Sequence, residues 1–344
     1  MLTAAVRTPL VDAFGRTARD LRVSLTDRCN LRCTYCMPAE GLPWLPGEEV
    51  LTDAEVNRLI RVAVELLGVT KVRFTGGEPL LRKGLEGIVE AASRLVTADG
   101  GRPELMLTTN GLGLDHRAAA LRAAGLDRVN ISLDSLDRER YARLARRDRL
   151  PDVLAAIDAS EAAGLTPVKV NSVIMRGMNE DDVVPLAEYC LARGHQLRFI
   201  EQMPLGPHDE WDRTQMVTQA EILASLASRF RIEQAEEPRG AAPAALWRVA
   251  PDAQQPGGLI GVIASVTNPF CAACDRTRLT ADGQMRNCLF ARTETDLRGP
   301  LRAGATDEEI ADIWSGGQYA KKAGHGIGEP GFRQPERTMS AIGG

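Results

Sequence analysis

Between Leu21 and Gln202, short runs of alternating polar and apolar residues recur at intervals along the chain. Leu21–Thr26, Lys71–Thr75, Glu104–Thr109, Arg128–Asp134, Thr166–Ile174 and Gln196–Gln202 carry the two-residue period of a strand. Longer segments of helical period separate them: Thr52–Leu67, His116–Ala124, Pro151–Ala163 and Asp181–Ala192. Thr52 and Glu55 have the spacing of a capping box, and Gly68, Gly125, Gly164 and Gly194 stand where the helices should stop. Strands alternating with helices in this order predict a parallel sheet joined by right-handed crossovers. The fold class expected is α/β, a partial (β/α)6 barrel rather than a closed barrel of eight units.

The alternation also says what each face carries. Arg22, Ser24 and Thr26 share one side of their strand, and Val23 and Leu25 the other. Lys71, Arg73 and Thr75 alternate with Val72 and Phe74, Asn130, Ser132 and Asp134 with Val129, Ile131 and Leu133, and Lys169 and Asn171 with Val168 and Val170. A parallel sheet buried on both faces should be apolar on both. An antiparallel sheet with one wet face would show the same alternation, but the intervening helices argue against it. The pattern points to an open barrel with a polar lumen, in which Arg22, Lys71, Arg73, Lys169 and Arg198 await a strongly anionic ligand such as a polyphosphate.

Beyond Leu205 the pattern changes. Gly206–Arg213 is turn-rich, Thr218–Phe230 reads as helix, and Glu236–Pro256 is dense in Pro and Gly. Leu246–Val249, Leu259–Ser265 and Arg276–Thr280 read as strands of a smaller α+β module. The domain reading is an N-terminal extension (1–19), the barrel (20–230), the module (231–323) and a tail (324–344). The whole has 344 residues, 44% of them hydrophobic, enough for a substantial core. Its net charge of −4 gives no general basic surface for nucleic acid, so an anion must be met by local cations. Met1–Gly15 lacks a signal-like apolar run and no segment has the length of a membrane span, so no membrane partner is expected and the compartment expected is the cytoplasm.

Six of the seven cysteines fall in two tight groups, which is metal usage rather than a disulfide framework. Cys29, Cys33 and Cys36 form a C-x-x-x-C-x-x-C run that converges only on a tight loop. Three thiolates are one short of the four that a four-iron cube takes, which leaves one iron open for a ligand. A zinc site with a borrowed fourth ligand, or three core cysteines, would use the same residues, but zinc loops favour C-x-x-C spacing and no His is near. Cys271, Cys274 and Cys288 repeat the theme. Here a zinc ribbon competes more closely, although neither His195 nor His325 has ribbon spacing. Arg276 and Arg278 share a strand face beside this second group and would extend the anion site. Cys190 reads as a core residue, and Gly324–Gly344 has the composition of a disordered tail.

Cys29, Cys33, Tyr35 and Cys36 resemble the signature loop of the radical S-adenosylmethionine enzymes, with the aromatic residue just before the third cysteine. Thr75-Gly76-Gly77-Glu78-Pro79 is similar to the glycine-rich stretch with which that family receives the methionine amino group. With the second cysteine group, the Cys274–Arg278 run and the Gly343-Gly344 tail, the chain from Arg19 onward resembles the members of that family that cyclise GTP in the first step of molybdenum cofactor biosynthesis.

The resemblance implies two [4Fe-4S] clusters, one on Cys29, Cys33 and Cys36 and the other on Cys271, Cys274 and Cys288. It implies S-adenosyl-L-methionine held by Tyr35, Gly77, Ser132 and Met203. GTP would be contacted by Arg22, Arg73, Thr108, Lys169, Arg276, Thr277 and Arg278, with Lys71 and Arg198 as phosphate neighbours. Arg22, Gly343 and Gly344 would assist catalysis, and the tail would then reach the active site instead of being disordered. The reaction implied is conversion of GTP to (8S)-3′,8-cyclo-7,8-dihydroguanosine 5′-triphosphate. The partners implied are an external low-potential electron donor, a second copy in a homodimer and the next enzyme, cyclic pyranopterin monophosphate synthase. A radical enzyme that modifies peptides and carries an auxiliary cluster is the alternative. A simple iron–sulfur electron carrier would have no use for the glycine-rich stretch or a cationic lumen.

Overall fold

Parallel strands form where the alternation predicts them: β1 (Asp20–Ser24), β2 (Lys71–Thr75), β3 (Glu104–Thr109), β4 (Arg128–Ser132), β5 (Lys169–Ile174) and β6 (Gln196–Glu201). They come from a computed structural model that describes residues 9–207 and 211–344. The first eight residues of the expected N-terminal extension, and residues 208–210 of the turn-rich stretch, lie outside it.

The crossovers hold helices α1 (Asp53–Arg61), α2 (Leu85–Ser93), α3 (Ala118–Ala123), α4 (Arg138–Ala145), α5 (Leu150–Ala162) and α6 (Val183–Ala192). The Thr52/Glu55 capping box starts α1. The single helix expected over Thr52–Leu67 instead changes to a π-helical turn at Val62–Leu66. The alternation decides what the helices cover: Val23, Val72, Phe74, Leu105, Leu107, Val129, Ile131, Val170, Leu197 and Phe199 are fully buried between sheet and helices. Burying one such side chain contributes on the order of 1.5–3 kcal/mol, so this face holds the barrel together.

After α7 (Gln219–Ala227), the C-terminal part supplies β7 (Ile232–Gln234), β8 (Ala245–Val249), β9 (Gly258–Ile263), β10 (Arg276–Leu279), β11 (Gln284–Arg286) and β12 (Thr295–Asp296). These strands build no separate sheet. β9 pairs parallel with β6 and β10 pairs parallel with β1. One twelve-stranded sheet results, in the order β12-β11-β10-β1-β2-β3-β4-β5-β6-β9-β8-β7. A six-strand barrel would leave the backbone groups of β1 and β6 unpaired at its edges, and the two C-terminal strands cover both. Helices α8 (Arg298–Arg302), α9 (Asp307–Tyr319) and α10 (Met339–Ile342) complete the chain.

Helix α9 begins with a further T-x-x-E box, Thr306 and Glu309, and packs against the outer face of β10. Gly317 lies inside it because a Cβ there would come within 2.5 Å of Thr295 Oγ1. Trp314 is fully buried and its indole N–H donates to Thr277 Oγ1 at 2.9 Å. The side chain of Thr277, expected among the substrate contacts, thus faces away from the cavity. Strand alternation turns Arg276 and Arg278 inward and Thr277 outward, into the core under α9.

Replacing Thr277 with Val, a close match in shape, leaves the Trp314 N–H buried without an acceptor. Chemical denaturation should show a loss of about 1–3 kcal/mol, with affinity for polyanions unchanged. A stable variant with weakened anion binding would return Thr277 to the site.

Candidate active site

The polar faces of the strands enclose a cavity of about 530 Å³. Arg22, Lys71, Arg73, Arg128, Lys169, Arg198, Arg239, Arg276 and Arg278 line it, against Asp20, Asp134 and Asp275. The ladder explains the convergence. Arg278, Arg22 and Arg73 lie side by side on β10, β1 and β2, and Arg73 is level with Met106 on β3, which is level with Arg128 on β4.

Several of these cations have weak partners or none. Among the described residues, Arg73 reaches only Thr108 Oγ1 at 3.5 Å and Met106 Sδ at 3.0 Å, and Arg198 only Gln196 Oε1 at 3.3 Å, whereas Arg128 pairs with Glu104, and Arg239, Arg276 and Arg278 donate to backbone carbonyls. The Nε atoms of Arg22, Arg73, Arg128, Arg198 and Arg276 are buried without an acceptor. Unsatisfied buried donors are uncommon in folded proteins and point to a missing ligand. Burial and the neighbouring cations push Arg22 down to about 9. They push Arg73 and Arg198 down to about 10, and Lys169 down to about 7. Burial alone would raise Asp20, but Arg22, Arg73, Arg276 and Arg278 around it hold its carboxyl below the usual range.

The first cysteine loop follows β1 and is fixed from two sides. Arg32 N and Thr34 N donate to the last carbonyls of α4, Ala145 O at 3.1 Å and Leu144 O at 3.0 Å. The glycine-rich turn after β2 presses on the loop from the other side. Gly77 N donates to Thr26 O at 2.8 Å, and a Cβ on Gly77 would stand 2.3 Å from Arg28 O and 2.4 Å from Asp27 O. Gly77 therefore makes a close approach of two backbones, and it is not among the residues that line the cavity. Glu78 is fully buried and accepts from Leu80 N at 2.9 Å, Thr109 Oγ1 at 2.7 Å and Asn110 N at 2.8 Å. Burial pushes its carboxyl up to about 7 against those three donors. Asn110 Nδ2 in turn faces Cys29 Sγ at 3.8 Å. Tyr35 lines the cavity with Ser132 and Met203, and its hydroxyl donates to Asp134 Oδ2 at 2.8 Å.

Of the second group, Cys271, Cys274 and Cys288 all belong to the cavity wall, whereas of the first loop only Tyr35 does. All six thiols are free and partly buried. Burial pushes Cys29, Cys33 and Cys271 up, and Cys36 to about 12. Such thiols are stable as thiolates only against a positive partner, and soft sulfur donors in threes suit an iron–sulfur cluster. Among the described residues, no three Cys, His, Asp or Glu side chains close on one point as a single metal ion requires. Two neutral donors already face the first group, Leu31 N on Cys29 Sγ at 3.4 Å and Asn110, in the manner of groups that tune a cluster from outside its ligands.

The tail enters this space. Met339 N donates to Leu205 O at 2.9 Å, Ser24 Oγ donates to Ile342 O at 2.7 Å, and Arg278 donates to Gly343 O. Gly343 has φ +84, and a Cβ there would lie 2.3 Å from Ser24 Oγ. Gly344 lines the cavity. Composition suggested a disordered tail, but Arg337 anchors it to Asp282 through two bonds of 2.9 and 2.7 Å.

Sequence reasoning missed Asp20, Arg128 and Arg239 as lining residues. Arg128 was legible, since it shares a strand face with Asn130, Ser132 and Asp134. Arg239 was not, because it comes from a Pro- and Gly-rich loop of no fixed period.

Comparison with known proteins agrees with this layout. Residues 23–190 match the Radical SAM superfamily model, and residues 195–327 match that of Molybdenum Cofactor Synthesis C. A GTP 3′,8-cyclase from Corynebacterium glutamicum is 65% identical over 97% of this chain and 89% of its own. One from Mycolicibacterium smegmatis is 58% identical over 98% of this chain and 92% of its own. Among solved structures, SuiB of Streptococcus suis bound to S-adenosylmethionine superposes with TM-score 0.57 at 15% identity, covering 93% of this chain and 68% of that one. At that identity the likeness concerns the fold alone.

The crowding around Lys169 has a measurable consequence. A lysine held near 7 is largely neutral at pH 8, and an anion placed beside it raises its pKa, so binding takes up as much as about one proton. In the ligand-free protein the sign is the same: the unfolded state binds the extra proton between about 7 and the ordinary 10.5, and stability rises with pH across that window. Titration calorimetry with tripolyphosphate at pH 8, in buffers of different ionisation heat, should show the uptake, and Lys169→Met should remove it. Equal heats in all buffers would contradict this assignment.

Proposed function

The chain belongs to the GTP 3′,8-cyclase family of radical S-adenosylmethionine enzymes, and from that premise we propose how its own residues carry the reaction. The enzyme converts GTP to (8S)-3′,8-cyclo-7,8-dihydroguanosine 5′-triphosphate, the first step of molybdenum cofactor biosynthesis, with S-adenosylmethionine and an iron–sulfur cluster. Cys29, Cys33 and Cys36 would hold that cluster, which with S-adenosylmethionine would supply radical chemistry for a reaction that begins at C3′ of the ribose. Tyr35, Ser132 and Met203 line the cofactor's end of the cavity, and Gly77 sets the turn beside it.

The observation that carries the reading is the row of buried arginines whose Nε atoms lack acceptors, in a cavity lined by Tyr35 of the first cysteine loop and by the second thiol group. Arg73, Lys169, Arg198 and Lys71 take the triphosphate, with Thr108 beside Arg73. Cys271, Cys274 and Cys288 would hold a second cluster and serve the guanine end of the substrate, with Arg276 and Arg278 beside them on β10. Fixing both ends of GTP leaves its ribose little freedom, and this positioning is the protein's main contribution to rate. The tail at Gly343 and Gly344 closes the space next to Ser24 and Arg278 and keeps water out. Arg22, central among the cations and without a partner at Nε, assists the ring closure electrostatically as well as binding substrate.

The electron comes from an external low-potential donor, and the product passes to cyclic pyranopterin monophosphate synthase. A homodimer working in the cytoplasm is the setting we propose. No helix of the described residues is long and apolar enough to cross a membrane.

Anaerobic reconstitution tests the whole reading. With dithionite, S-adenosylmethionine and GTP, the protein should bind about eight irons per chain and yield 5′-deoxyadenosine with a cyclised GTP by mass spectrometry. Cofactor cleavage with peptides but not with GTP would overturn it. Arg22→Ala should keep GTP binding within about tenfold, the effect of one lost charge-assisted bond. Its cyclisation rate should fall by roughly a hundredfold or more, as when an electrostatic stabiliser is removed. Equal losses in binding and rate would leave Arg22 a binding residue only.

A further inference from the structure

Lys321, just past the end of α9, is buried at 4% exposure, and the reading above gives it no task. Its Nζ lies 3.3 Å from Cys274 Sγ, 3.4 Å from Cys274 O and 2.8 Å from Arg276 O. No carboxylate is within ion-pair distance of it among the described residues, so its charge is directed at the thiol and two carbonyls. Arg276 Nη1 approaches the same sulfur at 3.6 Å. From the other side, Arg16 Nη1 donates to Cys271 O at 2.7 Å and to Ala323 O at 2.8 Å, which fixes the turn carrying Lys321 against the C-x-x-C loop.

Among the described residues, no Lys or Arg side chain lies within hydrogen-bond distance of a sulfur of the first thiol group. The charges that act on it include the buried carboxylates Glu78 and Asp134, opposed by Arg32. The donors to Cys29 Sγ are the neutral Leu31 N–H and Asn110 amide. Two chemically similar ligand sets thus stand in opposite local fields. Local charge and hydrogen bonds to sulfur are the protein's means of setting a cluster's potential.

We propose that Lys321 is the counter-charge of the second thiol group, a positioning residue whose ammonium holds Cys274 in place and raises the reduction potential of the cluster bound there. The proposal rests on the second cluster assigned above. A buried ammonium on a ligand sulfur stabilises the more negative, reduced state, so removing it makes reduction harder. Arginine in its place keeps the charge.

The test uses the full-length chain reconstituted with iron and sulfide, in a background where Cys29, Cys33 and Cys36 are replaced by Ala so that only the second cluster reports. A redox titration followed by electron paramagnetic resonance, without substrate, should give a midpoint that moves to lower potential in Lys321→Gln and stays near its starting value in Lys321→Arg. If Lys321→Gln loses iron while Lys321→Arg keeps both iron and midpoint, the charge is again what matters. An unchanged midpoint in an iron-replete Lys321→Gln protein overturns the proposal. Equal loss of iron from both variants also overturns it, since only side-chain shape would then be at issue. Absence of iron from the background protein, which needs no Lys321 variant to see, removes the second cluster itself and the proposal with it.

Discussion

Nine Lys and Arg side chains share one cavity with three aspartates, and their mutual repulsion is the constraint that the rest of the structure answers to. Two unit charges 4 Å apart near a protein surface interact by about 4 kcal/mol, so the cluster can persist only on a rigid support. The apolar outer faces of β1–β6 supply that support. Buried Val, Leu, Ile and Phe on alternate residues oblige the intervening cations to point inward together. Asp20 stands among four of the arginines and offsets part of the charge. β10 adds Arg276 and Arg278 and at the same time covers the open edge of β1, so one pairing completes both the sheet and the cationic wall.

The two ends of the cavity are built by different means. At the first cysteine loop, backbone meets backbone. The carbonyls at the end of α4 receive Arg32 and Thr34, and Gly77 lets the glycine-rich turn come within reach of Thr26 and Arg28. Glu78 then ties that turn to β3 through Thr109 and Asn110. At the second group, charged side chains replace backbone: Arg16, Lys321 and Arg276 all reach the C-x-x-C segment. The tail bridges the two ends, held by Arg337 on one side and by Ser24 and Arg278 on the other.

Much of this was legible in the sequence, and the reasons differ by element. The six parallel strands and most of their inward residues follow from a two-residue period, which needs no tertiary information. Thr277 shows the limit of carrying a motif over residue by residue, because the same period turns it away from the cavity and toward Trp314. Helices α2 and α4 passed unnoticed, α4 behind a dense run of arginines that hides Tyr141, Leu144 and Ala145. The short strands β7, β11 and β12 exist only through their partners and carry no periodic signal of their own. The tail's composition was misleading for a related reason. Its order comes from contacts with distant residues such as Asp282 and Leu205, which no local pattern reveals.

If unbalanced charge in the cavity serves ligand binding at the expense of the fold, stability and affinity should move in opposite directions when one cation is removed. Arg198→Met is the most direct measurement, since this side chain has one weak partner and burial with nearby arginines already depresses its pKa to about 10. Chemical denaturation of the ligand-free variant should show stability gained, on the order of 1 kcal/mol, while GTP affinity falls about tenfold or more. A variant less stable than wild type without ligand, or equally tight for GTP, would contradict the account.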